Sequence, residues 1–128
     1  MLTRGQRRRR ITGDRVDCAS QLEDLVRGLA AHFDVPEPIV LPWPATGEVH
    51  QLGRYSRGFD GGRITLWYKA LHAGNIHTVL AHEFTHHLDY ERGTYRGLDP
   101  ENLHGRVFIE SWREVEEALD ALRQAAAA

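Results

Sequence analysis

One stretch decides both the fold and the chemistry of this chain: Thr78-Val79-Leu80-Ala81-His82-Glu83-Phe84-Thr85-His86-His87-Leu88-Asp89-Tyr90. It contains the pattern H-E-x-x-H, with His82 and His86 four residues apart. On a helix, side chains at this spacing point the same way, so both imidazoles can reach one metal ion. Glu83 is turned by about 100° from His82, so it can handle a proton beside the metal without being a ligand. The stretch therefore predicts a metal site on a helix.

The predicted helix runs from Ile76 to about Glu91, and Gly93 closes it. At about 100° per residue, its large apolar side chains share the face opposite the two histidines. That apolar face consists of Ile76, Leu80, Phe84 and Leu88. Asp89 falls close to the histidines. There it either orients a ligand imidazole through a hydrogen bond or simply lies near the C-terminal end of the helix.

Length and composition predict a single domain that spans residues 14–125, because 128 residues suffice for one modest core. A single cysteine, Cys18, excludes an internal disulfide and a Cys-rich zinc site. No apolar run approaches the ~20 residues of a membrane span, and no apolar segment of a secretory signal follows the basic start. The sequence therefore predicts a cytoplasmic protein that makes no membrane contact.

Charge is distributed unevenly along the chain. Residues 1–15 carry six arginines against one aspartate, or +5, whereas residues 16–128 carry ten basic and seventeen acidic groups, or −7. The run Arg7-Arg8-Arg9-Arg10 lies in the segment 1–13, which is expected to form a flexible basic arm. A solvated tail is one interpretation, and weak contact with nucleic acid phosphates is the other.

The remaining elements follow from periodicity, turn signals and capping residues. Helices are expected at Asp14–Phe33 and from Pro100 to about Arg123, and the alanine tail is expected to fray. Strands are expected at Ile39–Leu41, within Glu48–Arg57 and at Arg63–Tyr68, with a turn at residues 59–62. In the last strand Ile64, Leu66 and Tyr68 should share one face.

A catalytic zinc usually has three protein ligands and one open position, so a third ligand is needed. His104 and Glu110 are the two candidates, and Glu110 is followed by a second glutamate, Glu114. If residues 104–112 are helical, His104 lies on the same side as Phe108 and Trp112, while Glu110 lies about 240° away from it. Helical geometry therefore favours His104, and Glu110 remains the alternative.

Together these motifs resemble the SprT-like, minimal H-E-x-x-H zinc metallopeptidases. The likeness rests on the strand Arg63–Tyr68, on the segment Val79–His86, and on the element His104-Gly105-x-x-Phe108. It implies an α+β, zincin-like domain in which three main helices pack on a small, mostly antiparallel sheet. It also implies that one zinc ion per chain is bound by His82, His86 and His104, with Glu83 as general base.

By this resemblance the chain is expected to hydrolyse peptide bonds in protein substrates, using a zinc-bound water. The strand that carries Ile64, Thr65 and Leu66 would be the sheet edge to which an extended substrate adds. Tyr95, His87 and Arg106 are candidate donors to the developing oxyanion. The antitoxin-degrading H-E-x-x-H peptidases are a second relative to consider, although their downstream glutamate-ligand segment is not obvious here.

A different class of function is also open at this stage. The chain could be a non-catalytic zinc-containing module that contacts nucleic acid or a protein partner. The presence of Glu83 argues against this interpretation, because a purely structural zinc site has no need of that carboxylate. Structural sites also tend to close the fourth position, and His87 is turned by about 140° from His82.

Overall fold

The computed structural model describes residues 14–43, 53–67, 76–94 and 104–127, and it shows a small α+β fold. Three helices pack with one three-stranded mixed sheet. The elements in chain order are α1 (Asp14–Phe33), β1 (Ile39–Trp43), β2 (Gly53–Gly58), β3 (Gly61–Trp67), α2 (Ile76–Glu91) and α3 (Arg106–Ala127). The predicted bounds of α1 and α2 are confirmed.

The sheet has the strand order β1-β3-β2, so β3 is its central strand. β2 and β3 form an antiparallel hairpin, because the two-residue turn at Phe59 and Asp60 reverses the chain. Gly61 follows this turn with φ of 108°, a conformation that L side chains rarely adopt. β1 pairs in parallel with the other side of β3. The expected mostly antiparallel sheet was therefore wrong, since one of the two strand pairs is parallel.

The strand bounds differ from the expected ones at several ends. β1 continues through Pro42, which a border strand tolerates because the missing N–H need not join the ladder. β2 is described from Gly53 to Gly58, and the predicted strand residues 48–52, with the expected inward residues Val49 and Leu52, lie outside the described ranges. Ile64 and Leu66 of β3 are fully buried on one face, as predicted, whereas Tyr68 also lies outside these ranges.

Gly93, in a left-handed backbone conformation, terminates α2 as the sequence predicts. Gly93 has φ of 77°, and its N–H donates to the carbonyl of Tyr90. The N–H of Thr94 donates to the carbonyl of Asp89 at 2.7 Å. This pair of bonds is the Schellman arrangement, which satisfies two carbonyls that have no partner inside the helix.

The last helix is described from Arg106 and ends later than predicted, and its predicted start at Pro100 lies outside the described ranges. His104 and Gly105 form a turn ahead of α3, and the carbonyl of Gly105 accepts the N–H of Ile109 at 3.0 Å. Glycine is a poor helix former, which fits a helix that starts just after it. Alanine is the best helix former, and α3 continues through the tail to Ala127 instead of fraying.

The core lies between the helices and one face of the sheet. The largest fully buried side chains come from α1, β3, α2 and α3, and they form one apolar cluster. Among them are Leu22, Val26, Leu29, Ile64, Leu66, Leu80, Phe84, Leu88 and Val115. α2 is central to this cluster, since most residues from Leu80 to Asp89 are buried. Its polar side is therefore covered by protein. None of the helices in the described part is long and apolar enough to cross a membrane.

Candidate metal centre

Three histidines from two elements converge at one end of the α2–α3 contact. His82 and His86 lie one turn apart on α2, with ring centroids 4.9 Å apart. His104, in the turn ahead of α3, places its ring 4.9 Å from His82 and 5.1 Å from His86. One ligand atom from each histidine lies within 4.8 Å of the others. This group, called the histidine triad below, could hold a metal ion.

Phe108 is the residue on which the triad packs. Its ring is 2% exposed and lies 5.0 Å from His82, 4.7 Å from His86 and 4.9 Å from His104 between centroids. Trp112, one turn further along α3, lies edge-on to His82 at 5.2 Å. Helical spacing predicts that Phe108 and Trp112 lie on the same side of one continuous helix as His104. Phe108 contacts His104 as predicted, although His104 precedes the helix.

The environment of the triad favours neutral imidazoles, which is the form that binds metal. Burial, followed by the neighbouring His82 and His104, lowers the pKa of His86 to about 3. Burial and the nearby His104 also lower the pKa of His82. Both rings therefore keep a nitrogen lone pair at neutral pH.

One pair of donor atoms in the triad has the spacing that a shared zinc ion requires. The Nε2 atoms of His86 and His104 are 3.2 Å apart. Two nitrogens that share one tetrahedral zinc lie ~3.3 Å apart, given Zn–N bonds of about 2.0–2.1 Å. Imidazole also suits copper, iron and nickel, so the geometry shows that these residues could hold a metal ion and does not name the metal.

Glu83 follows His82 on α2 and is buried, with 5% of its surface exposed. Its Oε2 atom makes no hydrogen bond, so one oxygen stays available within the described structure. Burial raises the pKa of this carboxyl group to about 7. A buried acceptor without a partner is costly in a folded protein, and such groups are often found where function requires them.

Glu110, the alternative third ligand, does not approach the histidines. It is exposed and accepts a hydrogen bond from Arg106 Nε at 3.1 Å. Glu114 pairs in the same way with Arg92 at 3.0 Å, on the surface between α2 and α3. Among the described residues, the cluster with metal-ligand spacing contains His104 and neither glutamate.

The strand predicted as a sheet edge is not at an edge of the described sheet, and its role in substrate binding stays a prediction. Ile64, Thr65 and Leu66 lie on β3, which is paired on both sides. Ile64 and Leu66 are fully buried in the core. Strand order is a long-range property, and the position of β3 just before the helix in sequence does not make it a border strand. β2 occupies one border of the described sheet and packs against α2.

The remaining predicted site residues have other partners or lie elsewhere. Asp89 is buried and accepts a hydrogen bond from Ser111 Oγ at 2.7 Å. No described bond joins it to an imidazole, so its predicted role in orienting one stays a prediction. Arg106 pairs with Glu110. Tyr95 and the arginines at positions 7–10 fall outside the described ranges.

His87 is buried and belongs to a separate hydrogen-bond network, which reaches the surface at Arg57 and which the sequence did not reveal. Its Nε2 atom lies 2.6 Å from the carbonyl of Pro36, and its Nδ1 atom lies 2.9 Å from Tyr55 Oη. A carbonyl only accepts, so Nε2 carries the proton and Tyr55 donates to Nδ1. Arg57 Nη1 donates to Tyr55 Oη at 3.1 Å and to Glu91 at 2.7 Å. His87 thus points away from the triad, as its helical position predicts, and ties α2 to β2.

Comparisons with family models, curated proteins and solved structures give no match to this chain.

Proposed function

We propose that this chain is a zinc metallopeptidase of the SprT-like, H-E-x-x-H type, which hydrolyses peptide bonds in protein substrates. The observation that carries the proposal is the convergence of His82, His86 and His104 beside a buried glutamate. A structural site has no need of a carboxylate with a free oxygen at this position. The three histidines would hold one zinc ion and leave a coordination position open.

Zinc, when bound, polarises a carbonyl group and lowers the pKa of a water molecule towards ~7. The protein supplies the proton transfer. Glu83 Oε2, which makes no described hydrogen bond, accepts the proton of the attacking water. The protonated carboxyl group then donates that proton to the amine that leaves as the peptide bond breaks. Phe108 packs against all three imidazoles and limits the positions that they can adopt.

The substrate is proposed to bind in an extended conformation along β2. This strand borders the described sheet, and its residue Gly53 packs against Glu83. A peptide added to a border strand gains main-chain hydrogen bonds, which do not depend on its side chains. The arrangement would place a backbone carbonyl close to Glu83. A cytoplasmic location is part of the same proposal.

The test is digestion of a mixture of unfolded proteins by the zinc-loaded chain, with Glu83→Gln as the matched variant. Glutamine keeps the size of the side chain but cannot accept a proton, so cleavage should fall by about 10²–10⁴-fold. Zinc content should stay unchanged. Cleavage at the wild-type rate by Glu83→Gln, or cleavage that survives a chelator, would contradict the proposal.

A further inference from the structure

The histidine triad is divided between two elements, and its geometry therefore depends on how they meet. α2 carries His82 and His86, whereas His104 stands two residues ahead of α3. α2 and α3 pack on each other, and His86 on α2 contacts Phe108 on α3. Any slide of α3 along α2 carries His104 with it.

A slide of this kind would be enough to open the site. One helical turn corresponds to about 5.4 Å along the axis. The ligand atoms of the triad all lie within 4.8 Å of one another. A displacement of a single turn would therefore remove His104 from the reach of the other two histidines.

The described ring contacts beside the triad do not by themselves specify a register. Phe108 packs against the imidazoles of His82 and His86 with centroids 4.7–5.0 Å apart. Ring contacts of this kind allow more than one geometry, so they do not fix the position of α3 along α2 on their own. The ion pair of Arg92 with Glu114 also joins the helices, but both side chains are 41% or more exposed. Exposed pairs of this kind contribute little.

Among the described contacts between the two helices, one is both buried and directional. Ser111 Oγ donates to Asp89 Oδ1 at 2.7 Å, with the two residues 6% and 3% exposed. Asp89 lies one turn beyond His86, and Ser111 one turn beyond Phe108. The backbone of Asp89 is itself fixed, because its carbonyl accepts both the N–H and the hydroxyl of Thr94. Leaving a buried carboxylate without its partner costs more than the bond itself contributes.

We propose that the hydrogen bond between Asp89 and Ser111 sets the register of α3 on α2 and thereby positions His104 as the third metal ligand. The inference rests on the metal site of the proposed function. Both residues are positioning residues, since neither is described in contact with the triad. Single buried polar contacts fix register in other helix pairs in the same way.

The experiment measures zinc affinity by competition with a chromophoric chelator, in the full-length chain. Ser111→Ala removes the donor and should weaken zinc binding by at least 10-fold. Ser111→Thr keeps the hydroxyl and should recover affinity to within about 3-fold of the wild type. The matched control is Glu114→Ala, which breaks the exposed pair between the same helices and should change affinity by less than 2-fold.

A second readout separates positioning from a general loss of stability. Each chain is unfolded thermally with and without zinc. A merely structural role for Ser111 would lower both midpoints together and leave the zinc-induced rise unchanged. A positioning role makes the zinc-induced rise smaller in Ser111→Ala than in Glu114→Ala. The absorption of bound Co²⁺ should also change in Ser111→Ala, because the ligand geometry is altered.

The outcomes of this experiment are distinguishable. A Ser111→Ala variant that binds zinc within 2-fold of the wild type, with the same Co²⁺ spectrum, would overturn the register inference and leave the proposed function intact. A wild-type chain that binds no zinc would contradict both. Asp89→Leu serves as a second variant, since it removes the acceptor, and it should weaken zinc binding in the same direction as Ser111→Ala.

Discussion

The backbone of Gly53 on β2 lies directly against the side chain of Glu83 on α2. A Cβ atom at this position would come within 3.1 Å of Glu83 Cγ and 2.7 Å of Val79 Cγ1. Neither contact is to the mobile end of a surface side chain. Glycine at this point therefore lets the border strand approach the proposed general base.

Gly53→Ala is expected to push β2 away from α2. The extra methyl group should destabilise the fold by about 1–3 kcal/mol, the usual range for overpacking. It should also lower the rate of protein digestion, because both Glu83 and the proposed substrate strand shift. Urea unfolding and the digestion assay measure the two effects.

The control for this change is Gly58→Ala on the same strand. Its Cβ would meet the guanidinium group of Arg63 at 2.9 Å, and this exposed side chain can move aside. Stability and activity should therefore change less than in Gly53→Ala. Equal effects of the two substitutions would show that the close approach of Gly53 to Glu83 has no special role.

The network around His87 should be important for stability. Tyr55→Phe removes the hydroxyl between Arg57 and His87, and it leaves His87 Nδ1 buried without its donor. The expected loss is about 1–3 kcal/mol, the cost of a buried polar atom without a partner. Urea unfolding measures it. Ser56→Ala, on the opposite face of the same strand, is the control and should lie within about 0.5 kcal/mol of the wild type.

The central position of β3 leads to a prediction about residues that the sequence assigned to substrate binding. Leu66 is fully buried, so Leu66→Ala should destabilise the protein by about 2–5 kcal/mol. Thr65 on the other face is only partly buried, and Thr65→Ala should have a much smaller effect. Denaturant unfolding compares the two. A Leu66→Ala variant with normal stability and a raised KM would instead support the original assignment to the substrate edge.

Sequence reasoning was most accurate where the signals are local. The bounds of α2 follow from its apolar periodicity and from Gly93, and the structure reproduces both ends. His104 was found because Phe108 and Trp112 follow it at helical spacing. Phe108 and Trp112 lie within eight positions of His104, so their shared side of the helix can be predicted from one short segment.

Long-range relationships could not be obtained in this way. β3 is central because β1 pairs with it and not with the free side of β2. No local pattern in the sequence determines that pairing. The contact of Asp89 with Ser111 joins residues 22 positions apart. The predicted continuous helix from Pro100 is interrupted at His104 and Gly105, which form a turn, while Pro100 itself lies outside the described ranges.

His82, His86 and His104 are proposed to form a zinc site, and the zinc content of the purified chain is the direct test. Purified wild-type chain, His104→Ala and Glu110→Ala are dialysed against trace zinc, and bound zinc is measured by elemental analysis. We expect one zinc ion per chain in the wild type and in Glu110→Ala, and a clear loss of bound zinc in His104→Ala. Full zinc content in His104→Ala together with a loss in Glu110→Ala would contradict this proposal.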